Sequence, residues 1–161
     1  MKYLRYFEEL KINHKREPID IIMDTYFESA LWSVEDKDED FKYKTIHDFS
    51  DQARNQAKEE IKWFLDNAGD VFSEILNTEI GHDLWLSRNG HGSGFFDRAG
   101  YEEDDADFLM DLARILGEIY LEIGDDDKIY FIGGSEKYKD FDLDKYFEDV
   151  KLKKAKKKYN I

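Results

Sequence analysis

The run Gly81-His-Asp-Leu-Trp-Leu-Ser-Arg-Asn-Gly-His-Gly-Ser-Gly-Phe-Phe-Asp-Arg98 gathers two His, two Asp, two Arg and four Gly into eighteen residues. These residue types suit three chemistries. His82, Asp83, His91 and Asp97 are ligands of a hard or borderline metal. If the chain turns at Asn89-Gly90, His82 and Asp97 become cross-strand neighbours with His91 just past the turn. The spacing offers no helical His-x-x-x-His pair and no second His-rich segment, so no metal or other cofactor is expected. Arg88 with the amides of Gly90, Gly92 and Gly94 could form an anion nest. Phosphate-binding loops, however, join a strand to a helix, and this run reads as strand to strand. His91-Gly92 resembles an oxyanion-hole element, but the chain has no Gly-x-Ser-x-Gly nucleophile elbow to go with it.

The structural alternative is a β-hairpin. Leu84 and Leu86 alternate with Trp85 and Ser87, Asn89-Gly90 is a strong two-residue turn signal, and Phe95 and Phe96 lie on the returning strand. Glycines would permit positive φ or close packing. Trp85 and the Phe pair would be buried, Asp83, Arg88, Asp97 and Arg98 would make local ion pairs, and one His would be a hydrogen-bonded core residue.

The elements around this run define an α+β domain with a small antiparallel sheet, built from two β-hairpins packed against several amphipathic helices. A short helix is expected over residues 1–12. Pro18 opens a helix to about Trp32, with Ile19, Ile22, Met23, Tyr26 and Ala30 on one stripe. The strongest helical pattern runs from Ser50 to Leu76, with Ser50 or Asp51 as N-cap and Gly69 as a possible break. Asp104 or Asp105 caps a helix to about Leu116. A second hairpin pairs Ile119–Ile123 with Lys128–Ile132 across Gly124–Asp127, and a last helix spans Asp140 to Lys157. Asp125-Asp126-Asp127 lacks the Gly and terminal Glu of a calcium loop, so a hairpin turn is the reading there.

With 161 residues, 41% hydrophobic and 16% aromatic, the chain can bury a core without staples. It has no Cys, which excludes disulfides, thiolate nucleophiles and Cys-based zinc sites. No apolar stretch approaches the roughly 18 residues of a membrane span, and no signal peptide is read at the N-terminus. A cytoplasmic protein of a bacterial host is expected.

Charge is the other prominent feature. The formal net charge is −14, yet the last eleven residues hold six Lys and no acid, so residues 1–150 carry 38 acids against 18 bases. The expected division is therefore an acidic domain over 1–150 and a Lys-rich tail over 151–161. Acids cluster at Glu35, Asp36, Asp38, Glu39 and Asp40, and again at Glu102, Glu103, Asp104, Asp105 and Asp107. A 150-residue domain is about 38 Å across. Duplex DNA carries about 22 charges over that length, a magnitude close to the domain's own excess. Acids facing one way would let the domain enter a basic DNA channel. Scattered acids would serve only solubility. Direct duplex binding by the domain is opposed by repulsion. The Lys tail could hold phosphate, or more simply neutralise acids and favour a helix C-terminus.

The central run resembles a motif of small acidic proteins encoded by phages and prophages, with the pattern Gly-His-Asp-aromatic-Trp-Leu-x-Arg-Asn-Gly-His-Gly-x-Gly-Phe-x-Asp-Arg. The likeness extends to Tyr26-Phe-Glu-Ser-Ala-Leu-Trp-Ser33 and to Ile119-Tyr-Leu-Glu-Ile-Gly-Asp-Asp-Asp-Lys-Ile-Tyr130, so it covers roughly residues 20–132. The Lys tail lies outside it. The resemblance implies a phage origin and a host-directed or DNA-metabolism role, and it assigns no catalytic residue. Three functions follow as expectations. The first is a non-enzymatic, DNA-mimic-like inhibitor of a host Cas effector or restriction enzyme, acting through the two acidic clusters. The second is a ligand- or metal-binding module or enzyme centred on His82, Asp83, Arg88, His91 and Asp97. The third is a structural accessory protein of phage metabolism.

Overall fold

Pro18 stands in the first turn of helix α1, Pro18–Glu35, where its missing N–H costs nothing. The computed structural model describes residues 17–72, 77–91, 93–98 and 100–161. The helix expected over 1–12 lies outside them, as do Ile75, Leu76 and Gly92. Helix α1 buries Ile22, Met23, Tyr26, Phe27 and Ala30, with Thr25 and Ser29 on the same side. Helix α2, Asp51–Ala68, starts at Ser50, whose hydroxyl accepts from the Ala53 amide as the expected N-cap. It ends earlier than the hydrophobic pattern suggests, because Gly69 takes φ +59° and leads into a 3-10 turn, Gly69–Phe72.

The motif's first half is a helix, not a strand. Helix α3, Asn77–Arg88, packs more extensively against α1 than any other pair of helices does. It is buried on nearly every side, from Ile80 and Gly81 through Asp83, Leu84, Trp85, Leu86, Ser87 and Arg88. A helix without a wet face leaves no 3.6-residue rhythm in the sequence. Asn89-Gly90 ends it: Gly90 has φ +66°, and the His91 amide donates to the Leu86 carbonyl at 3.2 Å, a Schellman closure. Positive φ at Gly90 serves a helix cap here rather than a hairpin turn. Phe95 is fully buried in the turn that follows, while Phe96 is 67% exposed.

Helix α4, Glu103–Ile115, has Glu102 at the N-cap, with no side-chain cap bond, where Asp104 or Asp105 was expected. Three acids, Glu103, Asp104 and Asp105, fill its first turn. The second hairpin is present as expected: β1, Ile119–Ile123, pairs antiparallel with β2, Ile129–Gly133, with Leu121 opposite Phe131. Ile119, Ile129 and Phe131 face the core. The outer edge of β2 is closed by other elements. Ser50 N–H donates to the Ile129 carbonyl at 2.8 Å, and the Gln52 side-chain amide both donates to and accepts from Phe131 at 3.0 Å. Helix α5, Leu143–Tyr159, is capped by Asp142 and carries the Lys-rich segment as its C-terminal half.

Two of the aromatic groups among the described residues surround the motif. Tyr26, Phe27, Phe49, Trp85 and Phe131 join α1, α3 and the sheet, with Tyr26 edge-on to Trp85 at 5.1 Å. Phe64, Phe72, Phe95 and Tyr101 tie α2 to the post-α3 turn, with Phe64 stacked on Phe95 at 5.6 Å. The domain is therefore α+β with a single small antiparallel hairpin.

Candidate functional site

Gly81 explains how α1 and α3 meet so closely. A Cβ there would collide with the Ile22 carbonyl and Thr25 Oγ1, and would lie 2.9 Å from Tyr26 N. One turn on, Trp85 sends its indole N–H to Ser33 Oγ at 3.3 Å. Between them His82 Nδ1 lies 2.9 Å from Ser29 Oγ. A Ser–His pair suggests a nucleophile, but Ser29 Oγ also donates to the Thr25 carbonyl at 2.8 Å. With the hydroxyl proton committed there, the imidazole is the donor, and Ser29 is buried within α1. The contact ties two helices together. Burial holds the His82 pKa below its usual 6.5, against the pull of Asp83.

Arg88, the last residue of α3, has a fully buried side chain, and each of its three nitrogens finds an acceptor. Nε donates to the Gly117 carbonyl, Nη2 to the Leu116 carbonyl and Nη1 to Tyr26 Oη, each at 2.8 Å, and Nη1 also meets Glu60 Oε2 at 2.5 Å. The guanidinium thus links the ends of α3 and α4 to α1 and α2. The two carbonyls lie at the negative end of α4, where a cation is favoured. Burial pushes the Tyr26 hydroxyl up to about 12, partly offset by Arg88. Charge from Tyr26 and Glu60 outweighs desolvation and raises the Arg88 pKa further.

Asp83 is buried and bidentate to Arg98, with Nε at 2.5 Å and Nη2 at 2.9 Å, and Arg98 also meets Glu79 at 2.9 Å. Arg98 thereby clamps the turn after α3 back onto that helix. Close approach at Gly94, with φ +114°, lets Ser87 Oγ accept from the Phe95 amide at 3.2 Å. Asn89 Oδ1 accepts from the Ile119 amide at 2.8 Å, and its Nδ2 donates to the Trp85 carbonyl at 3.0 Å. His91, Asp97 and Gly90 are exposed.

The expected constellation is therefore divided. His82 faces α1 from within α3, so it is not the cross-strand neighbour of Asp97, and the hairpin that would have paired them is absent. Among the described residues no group of three or more His, Asp or Glu could hold a metal ion. Arg88 is consumed by four acceptors, which removes it from an anion nest. The ion pairs are partly as expected: Asp83–Arg98 is local, whereas Arg88 pairs with Glu60 on α2. Glu60 escaped the sequence reading, and Tyr26, expected on the buried stripe of α1, was not linked to Arg88. Glu60 follows Ala53 and Ala57 on α2's buried stripe, and a carboxylate at such a position is the signal that a buried cation exists elsewhere.

An open polar cleft of about 290 Å³ lies between α2 and the segment after β2, bordered by Gln56, Glu59, Gly134, Ser135 and Tyr138. Several of its polar groups are already engaged, Gln56 with Glu60 and Tyr138 with Glu59.

The acidic clusters lie outside the network. Glu35 ends α1 and Asp36 is its C-cap, with no basic residue in the last turn. Asp38 accepts from the Asp40 amide at 3.0 Å and starts a 3-10 turn over Glu39–Phe41. All five acids there are exposed. Glu102, Glu103, Asp104 and Asp107 are exposed and Asp105 is half-buried. The clusters differ electrostatically. Acids at the N-terminus of α4 are favoured by the helix dipole, whereas Glu35 and Asp36 stand at the negative end of α1.

No family model, no curated protein and no solved structure matches the chain. Among the described residues no helix is long and apolar enough to cross a membrane.

Proposed function

We propose that this protein is an acidic binding protein of phage derivation that occupies the nucleic-acid-binding surface of a host enzyme, with a Cas effector or a restriction enzyme as the natural target class. The observation that carries the reading is the Glu35–Asp40 cluster. These acids are exposed and begin at the end of α1 where negative charge is least favoured. Asp38 caps the 3-10 turn, but local stability does not account for Glu35 and Asp36, and a basic partner would. The structural use of His82, Asp83 and Arg88 also supports the reading, because it takes up three of the five groups of the alternative site.

Such a partner is met through charge, so association is fast at low salt and weakens as salt rises. The test is competition: purified restriction endonucleases and Cas effectors are bound to labelled duplex, and this protein is titrated in. Displacement at low salt that fades at high salt, and that is lost in Glu35→Lys/Asp36→Lys, is the expected result. Failure to displace duplex from any of them at any salt would refute the proposal.

A further inference from the structure

The acidic end of α4 is already met by a cation of the same chain. Lys154 Nζ lies 2.8 Å from Asp104 Oδ2. Further along, Phe108 packs on Phe147 with centroids 5.1 Å apart, and Tyr146 Oη donates to Asp111 Oδ2 at 2.7 Å. As α5 advances from Tyr146 to Lys154, its partners on α4 retreat from Asp111 to Asp104, so the two helices run antiparallel. The Lys-bearing half of α5 therefore passes the N-terminus of α4, where Glu102, Glu103 and Asp105 also stand. Lys151 and Lys158 fall on the same side of α5 as Lys154, three residues before it and four after. Residues 151–161 are exposed throughout. This half of the helix thus adds no buried side chain, and what it changes is surface charge.

Resting on the acidic-surface reading above, we propose that the Lys151–Lys158 segment is a built-in competitor for the α4 cluster. A basic partner then engages Glu102–Asp107 only in exchange for the chain's own lysines. Exposed ion pairs are individually weak, so the segment tunes affinity and can be displaced. Poorly matched cations are screened out, while a partner with a denser basic surface wins the exchange.

The test uses the full chain and a fluorescently labelled oligolysine peptide at low salt. Lys151→Gln/Lys154→Gln/Lys158→Gln is compared with a control, Lys42→Gln/Lys58→Gln/Lys62→Gln, which removes the same charge from exposed positions elsewhere. The expected result is peptide binding about threefold to tenfold tighter in the α5 variant, a smaller gain in the control, and loss of the difference when Asp104→Lys is added. Equal gains in both variants, or none in either, would overturn the competitor. No peptide binding by any form would instead overturn the acidic-surface reading beneath it.

Discussion

Replacing Arg88 by Met is the most direct test of whether the motif is scaffold. The substitution keeps an unbranched side chain of similar reach and removes the guanidinium. It strands the Glu60 carboxylate, whose side chain is 4% exposed, together with the Tyr26 hydroxyl and the carbonyls of Leu116 and Gly117. Removing one partner of a buried pair costs about 3–5 kcal/mol, a large share of the roughly 5–15 kcal/mol that holds a domain folded. At about 2–4 °C per kcal/mol for a chain of this size, the melting temperature falls by about 6–20 °C. Urea unfolding followed by circular dichroism gives the free energy directly. A second variant, Arg88→Met/Glu60→Leu, removes the stranded charge and should recover much of the loss, since apolar replacement of a whole buried pair is often neutral. A loss below about 1 kcal/mol in Arg88→Met would refute the argument, because a guanidinium held in reserve for a ligand, rather than for the fold, is the residue whose removal costs stability little.

Three further outcomes follow from named contacts. Gly81→Ala drives a methyl into the Ile22 carbonyl and Thr25 Oγ1, so a loss of about 1–3 kcal/mol in urea unfolding is expected; an unchanged midpoint would mean that α1 and α3 are not in contact there. His82 has a folded pKa below that of the unfolded chain, so the unfolded state takes up the proton first. Its contribution is intact above about pH 6.5 and is lost as pH falls through the folded value. The stability gap between wild type and His82→Asn should therefore narrow on acidification, and a gap independent of pH between 7.5 and 5.5 would contradict it. Glu35→Lys/Asp36→Lys places cations at the C-terminus of α1 and should stabilise the fold by about 0.3–1 kcal/mol per site while abolishing duplex displacement; a destabilised variant would show that these acids serve the fold after all.

The elements read correctly from sequence are those with a wet face or a dedicated end residue. Helix α1 shows its stripe because Glu28 and Trp32 are exposed opposite the buried Tyr26 and Ala30. Helix α2 shows both its stripe and its Ser50 cap. The β1–β2 hairpin shows alternation around an Asp-rich turn, where Asp127 takes φ +63°. Helix α3 was illegible for a physical reason. Every residue from Asp83 to Arg88 is buried, so the sequence holds no contrast from which a period can be read, and Leu84 and Leu86 simulate a strand by chance. Asn-Gly deepened the error, since a type I′ turn and a Schellman cap require the same positive φ. The N-cap of α4 falls two residues before Asp104, the nearer of the two expected caps, because any of four consecutive acids suits the positive end of a helix.

The same ambiguity governs the chemistry. Asp, Arg, His and Ser are the residues of active sites, but they are also what an interior needs to join four helices where apolar contact alone gives no unique arrangement. The arrangement, not the residue types, separates the two uses. A reaction centre leaves a donor or acceptor free and facing an opening, whereas Arg88 spends its donors on four acceptors and Asp83 is bidentate to one partner. The acidic clusters pose the reverse case. Glu35 and Asp36 are exposed and the α1 dipole opposes them, which is why the proposed function rests on them. Asp83, Trp85 and Arg88 of the motif turned inward, with Glu35 and Asp36 turned outward, is the pattern that supports our proposal of contact through charge.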